Sequence, residues 1–177
     1  MHVMTVIVTY NRKQLLERCL HAMVNQIRKP DHIHIVNNAS TDRTVDMLAE
    51  QGGVERADIE LLGLPENTGG AGGFAAGLRH AVDEGADWVW MMDDDAEPQQ
   101  EALDKLLAHE LDPNNLYGSV AATAGFLSWP MKRYGEKGRR FSIERIDQLE
   151  PSQDVAFIPF LGILVSRSLV EKIGLPD

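Results

Sequence analysis

Four short apolar runs, each followed by a segment of helical character, restrict the fold of this chain more than any other feature of its sequence. We predict strands over residues 3–10, 32–36, 59–64 and 88–92. The first and fourth runs are almost continuously apolar, which is typical of strands buried on both faces, whereas residues 32–36 alternate and residues 59–64 form a short strand. Strands that alternate with helices form a parallel sheet with helices on both faces. The sequence therefore predicts an α/β fold.

The spacing of apolar residues between these runs predicts the helices. Leu16, Cys19, Leu20 and Met23 recur at helical intervals, which indicates a first helix that ends near Gln26. Further helices are expected through Met47 and Leu48, over residues 74–84, and from Pro98 onward. After residue 111 we predict a strand over 119–127, a Gly- and Arg/Lys-rich loop over 129–141, strands over 155–160 and 162–166, and a short helix over 168–173.

Three consecutive carboxylates, Asp93, Asp94 and Asp95, directly follow the fourth predicted strand. Adjacent acids repel one another and are costly to remove from water, so we expect a cation to meet them. If the strand geometry continues to its end, Asp93 and Asp95 point to one side and Asp94 to the other. Two carboxylates on one side suit Mg²⁺ or Mn²⁺, with phosphate oxygens as further ligands. The alternative is an acidic turn that caps the next helix.

Charge and composition exclude several classes of protein. The net charge of −10 argues against nucleic acid or an anionic membrane surface as the main partner, so an anionic ligand would need a metal or backbone N–H groups. The single cysteine, Cys19, fits a reducing compartment. We find neither a signal peptide nor an apolar run near the roughly 18 residues of a spanning helix. These features predict a cytoplasmic protein.

Every unusual polar cluster in the first half of the chain follows a predicted strand. The four clusters are Thr9–Arg12, Asn37–Ser40, Asn67–Gly73 and Asp93–Asp95. In an open parallel sheet, ligands bind in the crevice at the carboxyl ends of the strands. We therefore expect the four clusters to converge on one binding edge.

The glycine-rich stretch Asn67–Gly73 has two functional interpretations. Residues 70–75 formally fit the dinucleotide-binding pattern G-x-G-x-x-A, but that pattern should directly follow the first strand. We prefer a loop that lets a ligand approach its bare backbone, with a helix beginning near Phe74 and its N-terminus available to an anion. The structural alternative is a flexible connector.

The remaining candidate residues carry weaker signals. The six histidines form no metal-ligand pair at a recognisable spacing, and most are expected at the surface. Trp129, in the predicted loop, is the aromatic residue that we expect to be able to stack on a sugar ring.

Four segments resemble the N-terminal signatures of the inverting family 2 glycosyltransferases, which have the GT-A fold: VIVTYNR, VNNASTDRT, ENTGGAGGFAAGL and WMMDDDAEP. Phe160–Arg167 and Lys172–Asp177 are similar to the acceptor-side segment of that family. The NTGGAGGF and DDDA versions are closest to galactofuranosyltransferase-like and rhamnosyltransferase-like members. The resemblance implies a Rossmann-like α/β sandwich, a mostly parallel sheet with helices on both faces, that transfers sugars from nucleotide-diphosphate donors. Residues 1–111 would form the donor-binding half, and 112–177 the start of a truncated acceptor-side half.

The resemblance also implies roles for individual residues. Thr9 and Asn38 would flank the nucleobase, although many members have Asp at the position of Asn38, and Arg12 would lie near the donor phosphates. Asp93 and Asp95 would hold Mn²⁺ or Mg²⁺ on the diphosphate. The other donor-binding residues implied are Tyr10, Asn11, Asn67, Gly69, Gly70, Gly73 and Asp94.

The reaction implied is transfer of a sugar from a UDP or dTDP donor to a glycan or lipid-linked acceptor with inversion. Inversion needs a base on the opposite face of the sugar, and in the family that base follows the segment that ends here at Asp177. The catalytic base is therefore expected beyond this chain, and the whole protein is expected to contact the inner face of a membrane peripherally. A non-catalytic nucleotide-sugar-binding module and a dinucleotide-dependent oxidoreductase are the alternatives. A nucleotidyltransferase is disfavoured because Thr9–Lys13 lacks its glycine-rich loop.

Overall fold

The structure, a computed structural model, describes residues 1–50, 58–134, 140–150, 152, 154–156 and 158–176. Its strands are β1 (Val3–Thr9), β2 (His32–Asn37), β3 (Ile59–Gly63), β4 (Trp88–Asp93), β5 (Tyr117–Gly118), β6 (Ala122–Thr123), β7 (Phe126–Tyr134), β8 (Arg140–Arg145) and β9 (Leu161–Ser166). Its helices are α1 (Lys13–Val24), α2 (Thr44–Glu50), α3 (Gly69–Asp83), α4 (Ala102–Leu107), α5 (Arg167–Ile173) and a short 3₁₀ helix (Ile146–Gln148).

The main sheet has six strands in the order β3-β2-β1-β4-β9-β5. The neighbours from β3 to β4 pair in parallel, whereas β9 lies antiparallel to β4 and β5 antiparallel to β9. The predicted α/β fold with a mostly parallel sheet is confirmed. The predicted division at residue 111 remains a prediction, and β9 extends the same sheet that the first half builds.

Helices cover both faces of this sheet, as predicted. Strand β1 is buried along its whole length because its alternate side chains enter two separate cores. Val3 and Ile7 pack with α1, α2 and α4 on one face. Val6 and Val8 pack with α3 and α5 on the other. This double burial explains the almost continuous apolar run of the sequence.

Two predicted helix starts are wrong. Helix α3 begins at Gly69 rather than near Phe74, so most of the predicted glycine-rich loop is the first turn of a helix. Helix α4 begins at Ala102 rather than at Pro98. The carbonyl oxygens of Pro98 and Gln99 accept hydrogen bonds from the Gln26 side chain, which anchors this segment to the end of α1 before α4 begins.

The predicted loop over Trp129–Phe141 is also wrong, because all of its described residues lie in strands β7 and β8, which pair with each other. Residues 135–139 lie outside the described residues. Leu127, Met131 and Ile143 form a small core under these two strands. Strand β6 pairs with β7 at Phe126 and Leu127, and Pro130 lies further along β7, past the end of this pairing. On that side β7 is an edge, where the missing N–H of a proline is tolerated.

The strands predicted in the second half are only partly observed. In place of one strand over 119–127 there are two, β6 and the start of β7, joined by a turn at Ala124 and Gly125. The strand predicted over 155–160 is absent from its described residues, and Phe157 lies outside them. Strand β9 and helix α5 are confirmed. Among the described residues, no helix is long and apolar enough to cross a bilayer.

Candidate active site

The candidate site lies where the strand order reverses. Strand β1 sits between β2 and β4, and the chain leaves β1 for β2 and β3 on one side before returning to β4 on the other. Such a reversal opens a crevice between the carboxyl ends of the two strands that diverge. Thr9 ends β1 and Asp93 ends β4, so these strand ends border the crevice.

Asp94 connects the two strand ends. Its buried carboxylate accepts a hydrogen bond of 2.7 Å from the Thr9 hydroxyl. The guanidinium of Arg12, at the start of α1, lies 3.4 Å from Asp94 Oδ1 and 3.3 Å from Asp95 Oδ2. Burial raises the pKa of Asp94, and the Thr9 hydrogen bond and the Arg12 charge oppose that rise. Asp94 is therefore a structural link, and Arg12 and Asp95 lie at the exposed mouth.

Asp93 is the carboxyl group whose ionised form is most strongly disfavoured by the site. Burial first, and then the charges of Asp95 and Asp94, raise its pKa to about 6, with Arg12 acting in the opposite direction. A bound divalent cation would lower this pKa again, because it favours the ionised form of the carboxyl group. The oxygen donors of Asp93 and Asp95 are of the type that Mg²⁺ and Mn²⁺ prefer, so the residues present fit such an ion.

Asn38 joins the loops that follow β2 and β3. Its Nδ2 donates hydrogen bonds of 2.9 Å to the side-chain oxygen of Asn67 and 2.9 Å to the carbonyl of Gly69. Its Oδ1 accepts a hydrogen bond of 2.9 Å from the N–H of Thr68. The N–H of Asn38 itself donates to the Thr9 carbonyl at 2.9 Å. This buried amide therefore fixes the start of α3 beside the end of β1.

Four of the five glycines of α3 divide into two pairs by environment, and the fifth, Gly72, lies against its neighbour Thr68, 2.5 Å from the position that a Cβ would take. A Cβ on Gly73 would lie 2.6 Å from Val8, and one on Gly77 would lie 2.4 Å from Val6, so both glycines let α3 pack closely on the sheet. A Cβ at Gly69 or Gly70 would meet nothing within 4 Å. Only the first pair is needed for packing, and the second leaves the backbone at the start of α3 open to a ligand.

Tyr10 and Asn11 form the rim beside β1. Tyr10 is exposed, and Asn11 has a φ of 54°, in the left-handed region. Asn11 is held there by its N–H, which donates to the Ser40 hydroxyl at 3.0 Å, and by its side chain, which accepts from the Thr41 N–H at 2.7 Å. The predicted convergence of the four polar clusters on one edge is thus confirmed.

Phe160, the first residue of the segment that resembles the acceptor side of the family, also reaches this edge, and its contacts there were not predicted. The carbonyl of Phe160 accepts a hydrogen bond of 3.3 Å from the Asp93 N–H, and its ring stacks on Phe74 with centroids 4.7 Å apart. Phe160 therefore connects the segment before β9 with both β4 and α3. Trp129 is exposed on β7 of the second sheet, and its predicted role in stacking on a sugar ring remains a prediction.

The histidines were predicted to form no metal-ligand pair, but the structure brings two of them together in an arrangement that could hold a metal ion. His34 and His80 meet at Glu60, with His34 buried. The three residues are far apart in sequence, on β2, β3 and α3, so no spacing motif reveals them.

Comparison with known proteins identifies the family. The model of the family described as glycosyl transferase family 2 matches residues 5–174. The chain belongs to glycosyl transferase family 2. It is 33% identical over 186 residues to galactofuranosyltransferase GlfT1 of Mycolicibacterium smegmatis, across 99% of this chain and 59% of that protein. This confirms the resemblance to galactofuranosyltransferase-like members, and this family 2 chain spans about three fifths of that relative's length.

Solved structures confirm the GT-A fold of this family 2 domain. The mannosyltransferase PcManGT from Pyrobaculum calidifontis, in complex with GDP-Man and Mn²⁺, has a TM-score of 0.69 at 21% identity, over 98% of this chain and 47% of its own. GalNAc-T7 with UDP, GalNAc and Mn²⁺ has a TM-score of 0.72 at 13% identity, over 100% of this chain and 37% of its own. Membership of the family removes the reason to consider a dinucleotide-dependent oxidoreductase.

Proposed function

We propose that this family 2 domain binds a UDP- or dTDP-linked sugar for inverting transfer to a glycan or lipid-linked acceptor, in the manner of a galactofuranosyltransferase. The observation that carries the proposal is the raised pKa of Asp93 at the end of β4. Its pKa is raised to about 6 at the mouth of the crevice between β1 and β4. A half-buried acid in that place, in a chain 33% identical to a galactofuranosyltransferase, is best explained as a metal ligand for a donor diphosphate.

Asp93 and Asp95 would hold Mn²⁺ or Mg²⁺, and the donor diphosphate would complete its oxygen ligands. When bound, the ion would neutralise charge on the departing nucleoside diphosphate. The requirement for the diphosphate is supported by the number of ligands, because two carboxylates leave most positions of an octahedral ion to other oxygens. The structures of PcManGT and GalNAc-T7 both contain Mn²⁺, which supports the choice of metal class.

Arg12 would act on the same diphosphate through its guanidinium. Its side chain is about half exposed and contacts Asp94 and Asp95 at 3.4 and 3.3 Å, so it can turn toward phosphate oxygens without leaving the site. A guanidinium forms paired hydrogen bonds with phosphate, which favours one orientation of the donor. Tyr10 and Asn11 would border the nucleoside from the β1 side.

Asn67, Gly69 and Gly70 would border the donor from the opposite side, where the open backbone at the start of α3 admits close approach. We assign Thr9, Asn38 and Asp94 to positioning the loops around the donor. Their buried polar atoms already form hydrogen bonds within the protein, Thr9 with Asp94 and Asn38 with Asn67. Gly73 would contribute by bringing α3 against Val8.

This proposal assigns the donor side of the reaction. The chain spans 59% of the length of galactofuranosyltransferase GlfT1, so the general base is proposed to lie outside the residues of this chain. Proton abstraction by a positioned base typically raises the rate of transfer by about 10²–10⁴-fold. Because this step follows donor binding, donor binding can be measured separately from sugar transfer. Trp129 remains the proposed sugar-stacking residue for the acceptor, and contact of the whole protein with the inner face of a membrane remains part of the proposal.

Donor binding by this chain is the decisive measurement. Calorimetric titration with UDP, dTDP and GDP, each with and without Mn²⁺, should show metal-dependent binding of the pyrimidine nucleotides. Asp93→Asn and Asp95→Asn should each weaken that binding by about tenfold or more, as expected when a metal ligand is lost. Asp104→Asn, which removes an exposed acid on α4, is the matched control.

Two results would contradict the proposal. Binding of UDP that is unchanged by EDTA and by Asp93→Asn would remove the metal from the site. Tighter binding of GDP than of UDP or dTDP would reject the assigned donor class.

A further inference from the structure

A second cluster of side chains with metal-ligating atoms is formed by residues of β2, β3 and α3, away from the candidate donor site. His34 on β2 and Glu60 on β3 are register partners in adjacent parallel strands. His80 lies in the last turn of α3, eleven residues after the helix begins at Gly69. At 1.5 Å per residue, about 16 Å of helix separates His80 from the candidate donor site. The two sites are therefore distinct.

The three side chains converge on one carboxylate oxygen. Glu60 Oε2 lies 3.0 Å from His80 Nε2 and 3.4 Å from His34 Nδ1. One ligand atom from each residue lies within 4.8 Å of the other two. Ligand atoms about 2.0–2.2 Å from a tetrahedral Zn²⁺ are about 3.4 Å apart, so small rotations of the exposed Glu60 and the partly buried His80 would suffice to form such a site.

His34 is the observation that points to a ligand. The side chain is 2% exposed, yet neither of its ring nitrogens makes a hydrogen bond in the part of the chain that the structure describes, and the 3.4 Å contact of Nδ1 with Glu60 lacks hydrogen-bond geometry. Leaving a buried polar group unsatisfied is costly, and a metal ion would satisfy one of these nitrogens. Burial first, and then the charge of His80, lowers the pKa of His34, which keeps the imidazole neutral as a metal ligand must be.

We propose that His34, Glu60 and His80 form a binding site for a transition-metal ion of the Zn²⁺ class. Two imidazoles and one carboxylate suit Zn²⁺ far better than Mg²⁺ or Mn²⁺, which prefer all-oxygen sites. A surface pocket of about 380 Å³, lined in part by His34 and Glu60, provides a path for the ion and room for a water at the remaining position. The ion would join β2, β3 and α3.

The test is a Zn²⁺ titration of the chain at pH 7.5, after removal of metals with EDTA and dialysis, with no nucleotide present. We expect one Zn²⁺ per chain, a rise in thermal midpoint with Zn²⁺ concentration, and no competition from Mg²⁺. Bound Co²⁺ should give the visible absorption of a four- or five-coordinate site. His80→Gln and Glu60→Gln should each weaken Zn²⁺ binding by more than about tenfold.

Matched variants separate this site from other histidines and from the donor site. His109→Gln, which replaces an exposed histidine elsewhere on the surface, and Asp93→Asn should both bind Zn²⁺ like the parent chain. The variants are made at His80 and Glu60 rather than at His34, because a change at the buried His34 could impair folding. The absence of Zn²⁺ binding, unchanged binding in both His80→Gln and Glu60→Gln, or its loss in Asp93→Asn would each overturn it.

Discussion

The hydroxyl of Thr9 donates a hydrogen bond of 2.7 Å to the buried carboxylate of Asp94, and this bond joins the ends of β1 and β4. The two residues are 85 positions apart in the chain. They meet because β1 and β4 pair in parallel with Val8 opposite Asp93. The bond holds the two walls of the proposed donor crevice in register.

Thr9→Val should destabilise the domain by about 1–3 kcal/mol at pH 7. The substitution keeps the shape of the side chain and leaves a buried carboxylate without its nearest donor, which costs the desolvation of that group. Urea denaturation measures the free energy of unfolding. Thr123→Val, at an exposed position of β6, is the control and should change this free energy by less than about 0.5 kcal/mol. Equal effects of the two substitutions would mean that the Thr9–Asp94 bond contributes nothing.

Asp93→Asn should make the domain more stable at neutral pH in the absence of metal. The pKa of Asp93 is raised from 3.8 to about 6 in the folded state, so the folded chain holds a proton that the unfolded chain has lost between these values. Stability therefore falls as pH rises from about 4 to about 6, and the penalty is complete above pH 6. After a discount for solvent screening, we expect Asp93→Asn to gain about 1–2 kcal/mol at pH 7.

The same variant should match the parent chain in stability near pH 3, where Asp93 is protonated in both folded and unfolded states. Unfolding free energies measured from pH 3 to pH 8 test this, with Asp104→Asn as the control for removing an exposed acid. A constant difference between parent and Asp93→Asn at all pH values would show that the raised pKa of Asp93 is not its cause.

Gly77→Ala should destabilise the domain by about 1–3 kcal/mol through overpacking. Its Cβ would lie 2.4 Å from Val6 and 2.8 Å from Val36, both in buried strands that have little freedom to move. Gly70→Ala, in the same helix with nothing within 4 Å, should be neutral or gain up to about 1 kcal/mol. Thermal and urea unfolding of the pair distinguish close packing from a general effect of methyl addition. Equal stability of the two variants would contradict the packing role of Gly77.

Asn38→Asp should cost about 1–3 kcal/mol at pH 7 because the amide donates hydrogen bonds to two acceptors, Asn67 and Gly69. A carboxylate oxygen there would face both acceptors without a proton. The cost should shrink below pH 4, where the carboxyl group can donate. Asn115→Asp, at an exposed turn, controls for the added charge and should have little effect. A cost that persists unchanged at low pH would indicate that the lost donor is not the reason.

The sequence by itself determined the strands of the parallel sheet and the edge that carries the polar clusters. Strand β1 illustrates the reason, because a strand buried on both faces is apolar at most positions, and this leaves a local pattern that only Thr5 and Thr9 interrupt. The edge followed from topology, since parallel strands joined by helices all end on the same side. Asp93–Asp95 and Thr9–Arg12 could therefore be placed together without coordinates.

Only the tertiary structure decided what each polar residue at that edge does. The start of α3 at Gly69 depends on Asn38, about thirty residues earlier, whose amide holds Asn67 and Gly69 in place. Residue preference alone favoured a loop there, because glycine is a poor helix former. The meeting of His34, Glu60 and His80 depends likewise on strand register and on the position of α3 across β2. Contacts between distant segments leave no periodic signal in the chain, and they set the chemistry of both sites.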